Sequence, residues 1–305
     1  MTATLELRAG PARVVLAPEV GGAIAGYEWN GKPVLRPTPN DALAAADVQR
    51  LSSFPLIPFS NRVADATLRW DGRAYPLRRY LPDLPHAIHG NGWRRAWRVR
   101  ERGPARADLE LVHDATGDSA REWPFPYLAR QRFELTDDAL TMMLAIENVG
   151  AAAFPFGLGW HPYFPRTAAT ELGFGADAVW QTDRTVLPTQ LEAVPPRWSF
   201  TPPRAIGDTT LDHCFAGWRR PATLRWPERR LRATIDADAA CTHLIVYVPP
   251  ERDYLALEPV THMTDAFNRA AAGQRDTGTR VLAPGAGFSC TMHISIVPDS
   301  SNAGV

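Results

Sequence analysis

The chain has 305 residues with 33 basic and 33 acidic side chains, so its formal net charge is zero. Such a balance gives no global field toward nucleic acid or anionic lipid and directs attention to a small partner, uncharged or modestly charged. Hydrophobic residues make up 45% of the chain and are spread along it, which excludes a disordered composition and suffices for a sizeable core.

In chain order, MTATLELRAG carries Glu6 and Arg8 where a signal peptide needs an unbroken apolar stretch. No apolar run approaches the roughly 20 residues that span a bilayer. A cytoplasmic location without membrane partners is therefore expected. TLELR (4–8) alternates as a strand does, and DALAAADVQR (41–50) could make about two turns of helix. Around Trp70 a hairpin is predicted: Leu68 and Trp70 precede the turn pair Asp71-Gly72, and Tyr75 and Leu77 follow it. WRVR (97–100), DLELV (108–112), RFEL (132–135) and TLRW (223–226) repeat the alternation. Leu140, Met142, Leu144 and Ile146 share one face, opposite Thr141 and Glu147. The proline-rich 187–204 reads as a long ordered loop or an edge segment, and AFNRAAAG (266–273) as a second short helix. In FSCTMHISIV (288–297), Phe288, Cys290, Met292, Ile294 and Ile296 alternate with polar residues, the clearest strand of all.

With 28 prolines and 22 glycines distributed throughout and no short repeat, the pattern predicts one all-β domain over 1–305, built from antiparallel sheets. The three cysteines, Cys214, Cys241 and Cys290, are odd in number and form no CxxC pair. That argues against a disulfide framework or thiolate zinc, and buried free thiols are expected.

Several polar side chains sit in apolar or turn surroundings. SSFPLIPFSNRV places Asn61 and Arg62 after a rigid, proline-bounded run, where an arginine suits fork-like donation to hydroxyls or a carboxylate, or caps loop carbonyls. In LPHAIHGNGW, His89 stands beside Gly90 and Gly92, which allow close approach of a ligand to the backbone. His86, three residues earlier, could join it on a metal, but the flanking proline and glycines disfavour a helix and no third ligand is evident. FGLGWHPYF surrounds His161 with Trp160, Tyr163 and Phe164; aromatic rings of this density often line sugar sites. LDHCF offers Asp212, an acceptor for a diol or a turn-forming residue. YLALEPVTHMTDAFN places Glu258 at the end of an apolar run, just before Pro259 where a strand would stop. A carboxylate in such surroundings has a raised pKa and becomes a competent base near neutrality.

Together these segments resemble the aldose 1-epimerase (galactose mutarotase) family. The specific marks are FPLIPFSNR, the His89-Gly90 pair, HPYF at 161–164, Asp212 with Phe215, and LEPVTHMTDAFN, in order between PEVGGAIAGYEWNGKPVL and VLAPG. The resemblance implies a large antiparallel β-sandwich with a shallow sugar cleft, a monosaccharide substrate, and neither metal nor nucleotide. It implies Glu258 as base and His161 as acid for ring opening and reclosure. His89, Arg62 and Asp212 match sugar-contacting residues, with Asn61 supporting them. Asn91 and the THMTD loop depart from the family near the expected sugar and so bear on substrate identity. Arginine pairs at Arg78-Arg79 and Arg94-Arg95 motivate a hexose-6-phosphate alternative, and a non-catalytic sugar-binding protein is a third reading. The sequence is compatible with a monomer or a homodimer.

Overall fold

The computed structural model describes residues 3–299; Met1 and Thr2 of the segment read for targeting, and 300–305 of the expected domain, lie outside the described residues. A nine-stranded sheet runs Arg98–Arg102, Arg106–His113, Tyr127–Leu135, Ala139–Asn148, Gly287–Pro298, Leu231–Ala237, Arg219–Trp226, Glu171–Gly175 and Phe200–Ala205. An eight-stranded sheet runs Pro188–Ala193, Ala178–Thr182, Leu211–Ala216, His243–Val248, Tyr254–Val260, Gly159–Trp160 and Pro55–Leu56, with Tyr163–Pro165 also paired to Tyr254–Val260. The neighbouring strands of these sheets pair antiparallel, as the alternation predicted, and the two sheets give the β-sandwich that the family resemblance implied.

Alternation translates directly into burial. In Ala139–Asn148 every second residue is buried, and Leu140, Met142 and Leu144 lie opposite Ile294, Met292 and Cys290 of Gly287–Pro298. Each such side chain contributes about 1.5–3 kcal/mol by leaving water. The buried hydrophobic residues form one cluster from Leu7 to Ile296, and all three cysteines are free and buried within it. The hairpin forms as predicted from Thr67–Trp70 and Arg73–Pro76, with Asp71 and Gly72 at positive φ. The proline-rich stretch supplies edge strands to both large sheets, Pro188–Ala193 and Phe200–Ala205, where absent amide protons leave no ladder bond unmade inside the sheet.

Two expectations need correction. The 41–50 helix is only Asn40–Ala44 followed by a 3-10 turn at Val48–Arg50, because Ala46 enters the left-handed region (φ 50°) and breaks it. The strand bearing Glu258 does not stop before Pro259 but runs through it to Val260. Its neighbour on one side is interrupted at His161-Pro162: Tyr163–Pro165 pairs with Tyr254, Leu255 and Ala256, and Gly159 with Val260. That break leaves Leu257 to Pro259 unpaired on that side, and a proline is tolerated there.

Candidate active site

Glu258 sits in the eight-stranded sheet opposite Ile245, which in turn lies opposite Cys214. The break in the adjacent strand turns His161 toward it; the amides of His161 and Tyr163 are held by the carbonyls of Phe54 and Ser52 at 3.0 and 2.9 Å. Nε2 of His161 lies 3.2 Å from Oε1 of Glu258, and both side chains are buried. Phe54 packs under this histidine at 4.7 Å between ring centroids, and Tyr163 lies 4.5 Å on. Behind Tyr163, at 3.8 Å from its ring, is the Arg36 guanidinium, which donates to the carbonyls of Gln49 and Leu51.

The His89 ring lies 5.3 Å from that of His161. Its backbone amide donates to the Asn61 carbonyl at 2.8 Å, and its Nδ1 accepts the Asn61 amide at 3.1 Å, so a neutral ring carries its proton on Nε2. Asn61, His89 and Gly90 all have positive φ, a concentration of uncommon backbone that the surrounding contacts must enforce. At Gly90 a Cβ would fall 2.1 Å from the Ile57 carbonyl oxygen, so only glycine fits. Arg62 reaches Asn61 Oδ1 at 3.0 Å and Asp212 Oδ2 at 3.4 Å. All six residues singled out as chemistry-bearing are thus brought into one neighbourhood. The groups are less shallow than expected: Glu258 is 2% exposed, whereas the Asp212 side chain keeps 31% of its surface.

Burial pushes the Glu258 carboxyl well above the usual carboxylate range, with Asp212 adding to the rise and Arg62 opposing it. Burial also drives His161 down to about 3, Arg36 acting in the same direction. Burial of the pair therefore favours a carboxylic acid facing a neutral imidazole. Because the groups touch, this state and the carboxylate-imidazolium pair differ only by one proton moved across 3.2 Å. Such a pair can take a proton from one oxygen and give one to another. Among the described residues, Glu258 Oε2 and His161 Nδ1 have no hydrogen-bond partner.

Sequence reasoning missed the scaffold beneath these groups. His262 donates from Nδ1 to the Met263 carbonyl at 2.6 Å and accepts the Ser60 amide on Nε2 at 3.1 Å. Asp265 accepts from the Ala64 amide and from Asn268, while its own amide donates to the Arg62 carbonyl. The THMTD loop thus supports the segment carrying Asn61 and Arg62. Asn91 is likewise a support: it is fully buried, donates to His113 and Glu122, and accepts from the Tyr127 hydroxyl at 2.6 Å. Asn91, His262 and Asp265 thus hydrogen-bond to segments distant in sequence. Among the described residues no group of three or more potential metal ligands comes together, and no helix is long and apolar enough to cross a membrane. A groove of about 1090 Å³ at the Ala216 and His243 end of the same sheet contains none of the six residues.

The chain is an antiparallel β-sandwich in which a buried carboxyl-imidazole pair lies near an arginine-carboxylate pair. A family model described as aldose 1-epimerase matches residues 3–295, and the chain belongs to that family. Escherichia coli K12 YphB, described as uncharacterized, is 30% identical over 284 residues, 90% of this chain and 93% of its own. Among solved structures, a provisionally assigned aldose 1-epimerase of Escherichia coli K12 has a TM-score of 0.86 at 27% identity, covering 97% of this chain and 99% of that one. A galactose mutarotase-like protein of Clostridium acetobutylicum shares the fold at a TM-score of 0.86 and 17% identity, over 97% and 95% of the two chains.

Proposed function

We propose that the protein is an aldose 1-epimerase that interconverts the α and β anomers of a free aldose, with Glu258 as base and His161 as acid. The observation that carries this reading is the direct contact between a buried carboxyl and a buried imidazole. The hydroxyl oxygen and ring oxygen of a cyclic hemiacetal share one carbon, so the groups serving them must themselves be neighbours. The carboxylate takes the C1 hydroxyl proton as the imidazolium protonates the ring oxygen. The bond from C1 to the ring oxygen breaks while C1 and its exocyclic oxygen become a carbonyl. Rotation about C1-C2 presents the other face, and reclosure returns both protons. Opening leaves Glu258 protonated and His161 neutral, the state that burial favours. Each positioned transfer contributes about a hundredfold to ten-thousandfold.

In this reading Arg62, Asp212 and the Nε2 proton of His89 hold hydroxyls, and the hydrogen bond from Arg62 to Asn61 supports an orienting role for Asn61. Of the four arginines that motivate a phosphate substrate, three are otherwise engaged: Arg78 and Arg95 pair with Glu122, and Arg94 lies over Trp93, while Arg79 is exposed. Polarimetry on freshly dissolved aldoses and their 6-phosphates tests the reading. Faster anomer exchange on a free aldose than on its phosphate is expected, and no acceleration on any sugar overturns it.

A further inference from the structure

A second buried polar side chain, His86, lies at the end of the short ribbon of Arg62–Val63 and Ala87–Ile88. Arg62 lies opposite Ile88 and Val63 opposite Ala87. His86 immediately precedes this ribbon, one residue before Ala87. The His86 ring is 2% exposed. Its Nδ1 accepts the Asp65 amide proton at 3.0 Å, and burial holds the ring below the usual histidine range. A neutral ring with Nδ1 accepting carries its proton on Nε2. Among the described residues that donor has no acceptor, and neither has Nε of Arg62. Buried donors left without acceptors are destabilising and rare, and here Arg62 is among the charges that act on His86.

From these orphan donors we propose that His86 is a substrate-binding residue whose Nε2 proton is donated to a neutral sugar hydroxyl next to the one held by Arg62. The neighbours run from His161 to His89, 5.3 Å between rings, then to Arg62, which acts on both His89 and His86. His86 therefore reads the part of the sugar away from the Glu258 and His161 pair. Asp65, Asp183 and Asp265 also act on this ring, so the subsite suits an uncharged hydroxyl and repels a phosphate. The ligand's identity as a sugar rests on the mutarotase reading.

The test uses the full chain with His86→Asn and His86→Gln, titrated calorimetrically with glucose, galactose and their 3-, 4- and 6-deoxy forms. Asn places an oxygen where Nδ1 stood and keeps the Asp65 amide satisfied while removing the Nε2 donor; Gln reaches the Nε2 position and keeps a donor. His86→Asn should bind the parent sugar about threefold to tenfold more weakly, with melting unchanged, and the loss should vanish for a single deoxy analogue. His86→Gln should retain more affinity. Unchanged affinity in His86→Asn, an equal loss on every deoxy sugar, or His86→Gln binding more weakly than His86→Asn overturns the proposal. Tighter wild-type binding of glucose 6-phosphate than of glucose, with the advantage lost in His86→Asn, overturns the neutral-hydroxyl assignment. A wild type that binds sugar without accelerating anomer exchange defeats mutarotation alone, and the titrations still decide His86; a wild type that binds no sugar of the panel defeats both.

Discussion

Replacing Glu258 by Gln preserves the outline of a side chain that is 2% exposed and removes its capacity to accept a proton. Burial already holds the carboxyl toward its neutral form, so a neutral amide suits the same surroundings and no new charge is stranded. Stability should hold or rise slightly, and an amide can still hydrogen-bond to His161, 3.2 Å away, and to a sugar, so binding should persist. Turnover should not. Loss of a positioned proton transfer reduces rate by about 10²–10⁴, equivalent to about 3–5 kcal/mol of barrier at 1.36 kcal/mol per decade. The assay is the initial polarimetric rate at saturating aldose and pH 7, paired with a melting curve and a calorimetric titration. A variant that melts and binds like wild type yet keeps more than a tenth of its turnover refutes Glu258 as the base.

Further outcomes follow from the same geometry. Arg62→Lys removes the fork that spans Asn61 and Asp212; charged hydrogen bonds are worth about 1.5–3 kcal/mol, so kcat/KM should fall about tenfold to a hundredfold, and an unchanged value would show that Arg62 does not hold substrate. Gly90→Ala forces a Cβ against the Ile57 carbonyl at φ 67°, and denaturant titration should show a loss of at least about 2 kcal/mol; a loss below about 0.5 would contradict the close approach. Burial depresses His161 to about 3 and His243 and His262 to about 4, whereas the unfolded chain titrates them near 6.5. The stability they contribute is complete above about pH 6.5 and is lost as pH falls through these folded values, up to about 3 kcal/mol apiece. Glu258, shifted upward, acts in the opposite sense, stabilising below its unfolded value and less as pH rises through its folded one. Urea midpoints measured from pH 7 down to 4 should therefore decline, and a flat profile would contradict buried neutral histidines.

The strands and their antiparallel sheets were legible because period-two burial is a local property: the alternation in Leu140 to Ile146 names the core face without knowledge of the partner strand. The site was legible as separate segments, since a histidine between glycine and proline or an arginine after a rigid apolar run stands out locally. Their convergence was not, because it depends on the break at His161-Pro162 and on a strand that continues through Pro259. Nor was the scaffold. His262, Asp265 and Asn91 look like loop residues until Ser60, Ala64 and Tyr127 arrive from distant positions to take their hydrogen bonds. The short helix at 41–50 failed because one alanine, Ala46, adopts a backbone conformation that no composition rule assigns to it.

Exchange spectroscopy on an aldose carrying ¹³C at C1 probes the carboxyl-imidazole pair without a chromophore or a coupled enzyme. At equilibrium, substoichiometric wild-type protein should produce cross-peaks between the α and β C1 signals well above the spontaneous rate, and Glu258→Gln should abolish the excess. Cross-peaks at the spontaneous rate with every free or phosphorylated aldose, from a folded wild-type protein, would contradict the assignment of ring opening to Glu258 and His161.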